Sequence, residues 1–188
     1  MVRRSKPNFL IAGTPGTGKT TVCNRVVQLA PLELINLSNL AREHGFLKEF
    51  DDTFQCPVVD EDKLFSYMEK KLLQGNCIVD YHACDIFTPR TIDAVFVLRC
   101  DTEILYDRLV SRGYGPTKLQ SNMECEIFDS LLEEAMNAFP HDHVFALKNN
   151  NEQDVEVNAK LIVSQYRSWK QPDDKRCSKK AGLCSSSE

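Results

Sequence analysis

Residues Gly13-Thr14-Pro15-Gly16-Thr17-Gly18-Lys19-Thr20 fit the pattern G-x-x-x-x-G-K-[ST] without a mismatch, and Thr21 follows. The flanks are what such a loop requires. Asn8 to Ala12 reads as a buried strand, and Lys19 to Leu29 as a helix with Val22, Val26 and Leu29 on one face. Glycines at these positions let successive backbone N–H groups turn inward as an anion nest, to which a helix N-terminus adds partial positive charge. In that geometry Lys19 reaches the outer phosphates of a nucleotide and the Thr20 hydroxyl ligates Mg²⁺. Strand, loop and helix therefore predict a nucleotide-binding α/β domain.

The rest of the chain continues the alternation. Glu33 to Leu37 reads as a second strand. Asp60-Glu61-Asp62 places carboxylates at the start of a helix carrying Leu64, Phe65, Met68 and Leu72, with Gly75 as its stop. Strands follow at Cys77–Asp80 and Ala94–Leu98, then a helix from about Thr102 to Ser111 ended by Gly113. Phe128, Leu131, Leu132, Ala135 and Phe139 recur at helical spacing, which predicts one long helix from Met123 to Phe139. A strand at Val144–Leu147 and a helix ending near Trp169 complete the set. Five buried strands separated by helices predict a mainly parallel sheet. Residues 38–62 are polar and acidic and read as an insertion outside the sheet. Residues 171–188 lack periodicity, carry Lys175, Arg176, Lys179 and Lys180, and read as a disordered tail beyond a single domain over 1–170.

Composition excludes several classes. At 188 residues with net charge −4, the chain offers no general nucleic-acid coat. No apolar run is long enough to span a membrane, and the basic residues near the N-terminus lead straight into the glycine loop rather than a cleavage region. The eight cysteines form neither a C-x-x-C pair nor a zinc-type spacing. They read as free, mostly buried thiols of a reducing compartment, cytosol or nucleus.

Ile78-Val79-Asp80 is the natural companion of the glycine loop: an apolar strand ending in a carboxylate that can hold Mg²⁺ directly or through water. His82 falls near the same mouth, either as part of the site or as a hydrogen-bonded loop residue. His141 and His143 flank a polar turn after Pro140 and read as surface. A GTPase is disfavoured by the lack of D-x-x-G after the second motif and of N-K-x-D.

Beyond the glycine loop, the residues Leu40-Ala-Arg-Glu43, Cys56-Pro-Val-Val-Asp-Glu-Asp62, Ile78-Val-Asp-Tyr-His82, Val95-Phe-Val-Leu-Arg99, Arg112-Gly-Tyr114 and Cys125-Glu-Ile-Phe128 together resemble the adenylate kinase isoenzyme 6 family. This branch of the nucleoside monophosphate kinases includes the coilin-interacting nuclear ATPase protein, and its yeast member acts in small-subunit ribosome assembly. The resemblance covers roughly residues 7–169. It implies a three-layer P-loop fold with a five-stranded parallel sheet, an NMP-binding insertion near 36–59 and a short LID near 111–121. It also implies ATP and Mg²⁺ with AMP as acceptor, an additional ATPase activity, and residence in nucleus and cytoplasm. Gly16, Gly18, Lys19, Thr20 and Thr21 match the family's ATP-phosphate positions and Arg112 its LID arginine. Arg42 matches the arginine that meets the AMP phosphate. Asp80 and Thr20 match the metal side and His82 the histidine of this branch. Arg108 is placed like the arginine lying on the adenine in related kinases. The chain departs from the pattern at Asn39, where Asp is usual, at Gly115-Pro116-Thr117 and at Thr88-Pro-Arg-Thr91.

The expected function is transfer of the ATP γ-phosphoryl group to AMP by a monomer, with Lys19, Asp80, His82 and Arg112 as catalytic residues. A short LID with few arginines shuts out water imperfectly, so some hydrolysis of ATP without AMP is expected. The rival is an assembly factor whose nucleotide state switches binding to a ribosomal small-subunit protein and pre-rRNA. A kinase for another small hydroxyl acceptor fits less well, because Arg42 suits an acceptor that bears a phosphate.

Overall fold

The computed structural model describes residues 4–53 and 56–169. Strand β1 (Phe9–Ala12) is buried on both faces, the reason its residues are uniformly apolar rather than alternating. It is flanked in parallel by β5 (Cys77–Asp80) and β6 (Ala94–Arg99), with Phe9 opposite Ile78 on one side and Ala94 on the other. Strand β2 (Glu33–Asn36) adds outside β5, and β7 (Val144–Lys148) outside β6. The sheet order is β2-β5-β1-β6-β7, all parallel, as the sequence predicts.

Side-chain alternation along β1 separates two cores. Phe9 and Ile11 pack with Val22, Cys23 and Val26 of α1 (Lys19–Leu29) and with Ala159, Ile162 and Tyr166 of α7 (Glu152–Ser168). Leu10 and Ala12 pack on the opposite face with α3 (Glu61–Leu72) and α6 (Ser130–Ala138), through Leu64, Met68, Leu72 and Ala135. A smaller cluster, Cys100, Leu105 and Leu109, joins α4 (Thr102–Ser111) to α5 (Pro116–Ile127). At the foot of β1, fully buried Asn8 donates to Leu72 O (2.6 Å) and Thr91 O (2.8 Å) and accepts from Cys77 N (3.0 Å). Three bonds offset the desolvation of its amide.

One expectation, the single helix over 123–139, is corrected, and two stretches gain detail. Within the 38–62 stretch, α2 (Leu37–Glu43) follows β2 directly, and a two-stranded antiparallel hairpin, β3 (Leu47–Asp51) with β4 (Cys56–Val59), lies outside the main sheet. In the 111–121 stretch, α4 ends at Ser111 and α5 begins at Pro116, with a short irregular connection between them. The single helix over 123–139 is two helices with an elbow at Asp129, whose φ is +56°. Phe128, expected on the buried face, is 68% exposed, whereas Glu126 is 2% exposed. Burying a Phe is worth about 1.5–3 kcal/mol. A carboxylate with several charge-assisted bonds outweighs that at about 1.5–3 kcal/mol each.

Cys23, Cys77, Cys84, Cys100 and Cys125 are free, the first four of them buried. His141 and His143 form a surface 3₁₀ turn. The tail, with Cys177, Cys184 and its four basic residues, lies outside the described residues.

Candidate active site

The glycine loop runs from the end of β1 to the first turn of α1, at the carboxyl edge of the sheet. Gly18 caps α1 at φ +94°, where a Cβ would stand 2.5 Å from the Asn149 amide nitrogen. Only glycine fits that left-handed backbone and that approach. Helix α1 starts with no capping side chain and no acid in its first turn, so its free N–H groups and positive dipole end face the loop. By contrast α3 is capped by Asp60, which accepts from Lys63 N (3.3 Å), and carries Glu61 and Asp62 in its first turn.

Lys19 lies back along the loop, its Nζ donating to Gly13 O (2.6 Å) and Thr14 O (3.2 Å). Burial lowers its ammonium from the ordinary 10.5 to about 8; the Asp80 carboxylate holds it up, and the Arg112 cation presses it down. The Thr20 hydroxyl donates to Asp80 Oδ2 (2.6 Å), and Asn36 Nδ2 donates to the same oxygen (2.7 Å). The structure therefore brings Lys19, Thr20 and Asp80 together. A hydroxyl beside a carboxylate is a hard oxygen set that suits Mg²⁺, an ion that keeps several waters and takes its other ligands from phosphates. Cys23 sits beneath this group, and burial pushes its thiol well above the ordinary range, so it is inert.

His82 stands at the mouth just past β5, its ring 4.2 Å from that of Tyr81. The loop around it and the Lys19 cation lower its pKa below 6.5, so the ring is neutral at pH 7. The loop itself is held from two helices. Tyr81 donates to Glu61 Oε1 of α3 (3.0 Å), and Cys84 N and Asp85 N (3.0 Å for the latter) donate to Glu134 Oε1 of α6.

The remaining expected residues divide into two kinds. Arg108 is committed to backbone: Nη1 donates to Gly16 O and Asn149 O (3.2 Å each), and Nη2 to Asn150 O. It ties the glycine loop to the β7–α7 connection. Arg42 on α2 and Arg112 just after α4 are exposed and, among the described residues, without an ion pair. They are available cations. Thr21, in the first turn of α1, is also exposed.

Sequence reasoning missed Asn36, Asn149 and Glu126. Asn149 Nδ2 donates to Thr17 O (2.7 Å) while its own Oδ1 accepts from Asn158 (3.2 Å). Glu126 takes Thr14 Oγ1 on Oε2 (2.6 Å), and Arg99 Nε (2.9 Å) and Cys100 N (2.8 Å) on Oε1. The available signal was a carboxylate inside the Cys125–Phe128 block; its partner is 112 residues away.

A family model described as an AAA domain matches residues 10–129. The chain is 42% identical over 165 residues to an adenylate kinase isoenzyme 6 homolog of Drosophila melanogaster, covering 88% of this chain and 94% of that protein. It is 44% identical over 161 residues to one of Caenorhabditis elegans, covering 85% and 88%. Among solved structures, shikimate kinase from Bacteroides thetaiotaomicron superposes with a TM-score of 0.61 at 12% identity, covering 87% of this chain and 99% of that one, a likeness of fold alone. Sequence, fold and site converge: the chain belongs to the adenylate kinase isoenzyme 6 homolog family, and is a kinase of the ATP-binding phosphate-loop class.

Proposed function

We propose that this chain transfers the γ-phosphoryl group of ATP to AMP (ATP + AMP = 2 ADP) and hydrolyses ATP to ADP and phosphate in the same site. The observation that carries the reading is the combination of a bare α1 N-terminus, beside Lys19, with Arg42 on α2, exposed and without an ion pair among the described residues: one place for a triphosphate, one cation for an acceptor phosphate.

Gly16, Gly18, Lys19, Thr20 and Thr21 hold the ATP phosphates, with Lys19 leaving its loop carbonyls for the β- and γ-oxygens. Thr20 and Asp80 would hold Mg²⁺, which would supply positive charge to offset that of the ATP phosphates. Arg42 orients AMP so that one of its phosphate oxygens attacks the γ-phosphorus as the bond to the β–γ bridging oxygen breaks. Arg112, in the LID, stabilises the charge spread over the transferring group. Arg108 offers its planar guanidinium to the adenine. The neutral ring of His82 accepts a proton from the water that competes with AMP, which makes it the residue of the hydrolytic branch.

Family membership supports the wider reading. We place the activity in nucleus and cytoplasm, in small-subunit (18S) rRNA maturation and nuclear nucleotide homeostasis, with the protein, a monomer, meeting a ribosomal small-subunit protein and pre-rRNA. No helix among the described residues is long and apolar enough to cross a membrane. In the second reading nucleotide occupancy switches that binding and AMP phosphorylation is incidental. The 112–115 connection is short and holds one arginine, Arg112, so it would enclose the phosphates against water incompletely, which favours that reading. Titrating AMP against ATP turnover with product identification decides. Two ADP per AMP consumed supports the kinase; turnover that yields only phosphate at every AMP concentration overturns it.

A further inference from the structure

We infer that Glu126 is a positioning residue for the nucleotide loop, fixing through Thr14 the carbonyls on which Lys19 rests and fastening the loop to helix α5. The inference builds on the ATP-binding reading of that loop.

A buried carboxylate is an odd thing to find under an anion site. It opposes the charge the loop is built to receive, so a passive spacer here would be neutral. Its environment shows what offsets the cost. Arg99 Nε pairs with Oε1, Arg99 Nη2 donates to the Glu126 carbonyl (2.8 Å), and Arg99 Nη1 pairs with Asp129 at the elbow. Cys100 N supplies a further donor. The second oxygen, Oε2, is thereby left to the Thr14 hydroxyl, itself 1% exposed.

Thr14 is the hub of the loop. Its carbonyl accepts from Thr17 N (3.2 Å), Thr17 Oγ1 (2.8 Å) and Lys19 Nζ. Fixing the Thr14 side chain fixes that carbonyl, and so the starting position of Lys19. Glu126 sits near the end of α5, whose other end, at Pro116, follows the Arg112–Gly115 connection. One rigid helix of about 15 Å between these points thus links the segment bearing Arg112 to the loop bearing Lys19.

Thr14→Val removes the hydroxyl alone, keeps the volume, and leaves Glu126 paired with Arg99 and Cys100. By calorimetry and steady-state kinetics it should weaken ATP binding and raise the KM for ATP about tenfold or more, the range for a bond to a charged group. The KM for AMP should hold, and Thr14→Ser should recover most of the loss. Glu126→Gln should weaken ATP binding less, and in the double variant the two effects should fall well short of adding. A lowered thermal midpoint with ATP binding unchanged in Thr14→Val, or strict additivity of the pair, overturns the inference and leaves Glu126 a structural residue. The parent reading fails separately: AMP would then not alter turnover in any of these proteins, while Thr14→Val would still bind ATP more weakly than wild type.

Discussion

The glycine loop and the α2–hairpin region are built differently. The glycine loop is held from three directions, by Glu126 through Thr14, Asn149 through Thr17 and Arg108 through Gly16, and Thr14 and Thr17 are buried. The α2–hairpin side is anchored along one face, by Leu37 and Ala41, while Ser38, Asn39, Arg42 and Glu43 are exposed. Its hairpin carries a register shift between Leu47 and Phe50, with Phe50 55% exposed. A site that binds charge without reorganising needs its dipoles fixed in advance. One that admits and then encloses an acceptor needs a less tightly packed wall. On the proposed function, the glycine-loop side, which takes the phosphoryl donor, is arranged for the first task, and the α2–hairpin side, which takes the acceptor, for the second.

Substitutions on either side should therefore differ in which reaction they touch. Lys19→Ala gives the largest effect: both phosphoryl transfer and ATP hydrolysis are abolished while circular dichroism shows the fold intact. Turnover within a few-fold of wild type would dissolve the comparison. Arg42→Ala should cut AMP phosphorylation by roughly tenfold to a hundredfold, the value of a charge-assisted phosphate contact, and leave hydrolysis nearly unchanged. Equal loss of both would place Arg42 with the donor machinery.

His82→Gly separates the branches further. Hydrolysis should fall several-fold more than AMP phosphorylation, because the acceptor phosphate needs no base. The pH profile supplies the control. The folded pKa of His82 lies below its ordinary 6.5, so protonation is disfavoured in the folded state and its contribution is lost as pH falls through that lower value. Wild-type hydrolysis should decline there and the variant's profile should be flatter. Parallel losses of both activities with a lower melting point would make His82 a loop residue only.

The smallest effect concerns the ligand-free protein. Lys19 has a folded pKa of about 8 against 10.5 ordinarily, so between those values the unfolded chain binds the proton and the folded one does not. Stability should rise with pH through that window. Lys19→Met should remove this rise in chemical denaturation. An unchanged slope would mean that the ammonium is solvated in the free loop.

Most of the donor side is legible in sequence because its signals are local. The glycine pattern, the strand before it and the helix after it lie within 22 residues of chain, Asn8 to Leu29, and Asp80 ends a recognisable apolar strand. Glu126 was not legible, since a charged residue on a helix reads as solvated until Arg99 and Thr14 are brought beside it. The elbow at Asp129 hides for a related reason: the apolar spacing of Phe128 with Leu131 and Leu132 imitates continuity, and only Arg99 and the buried carboxylate explain the break. The hairpin escaped because Lys48, Glu49 and Asp51 give it no apolar face to alternate.

The order of strands has a consequence for synthesis. Strand β1 is at the centre of the sheet yet is made first, and Asn8 at its foot bonds Cys77, 69 residues later in the chain. At about 5–20 residues per second on the ribosome, the Phe-Leu-Ile-Ala segment waits several seconds for either neighbour. During that interval its apolar faces and both strand edges lack their final partners, so a nascent chain exposes its stickiest segment before the sheet can cover it. The most protected strand of the finished enzyme is thus the most vulnerable one during its birth.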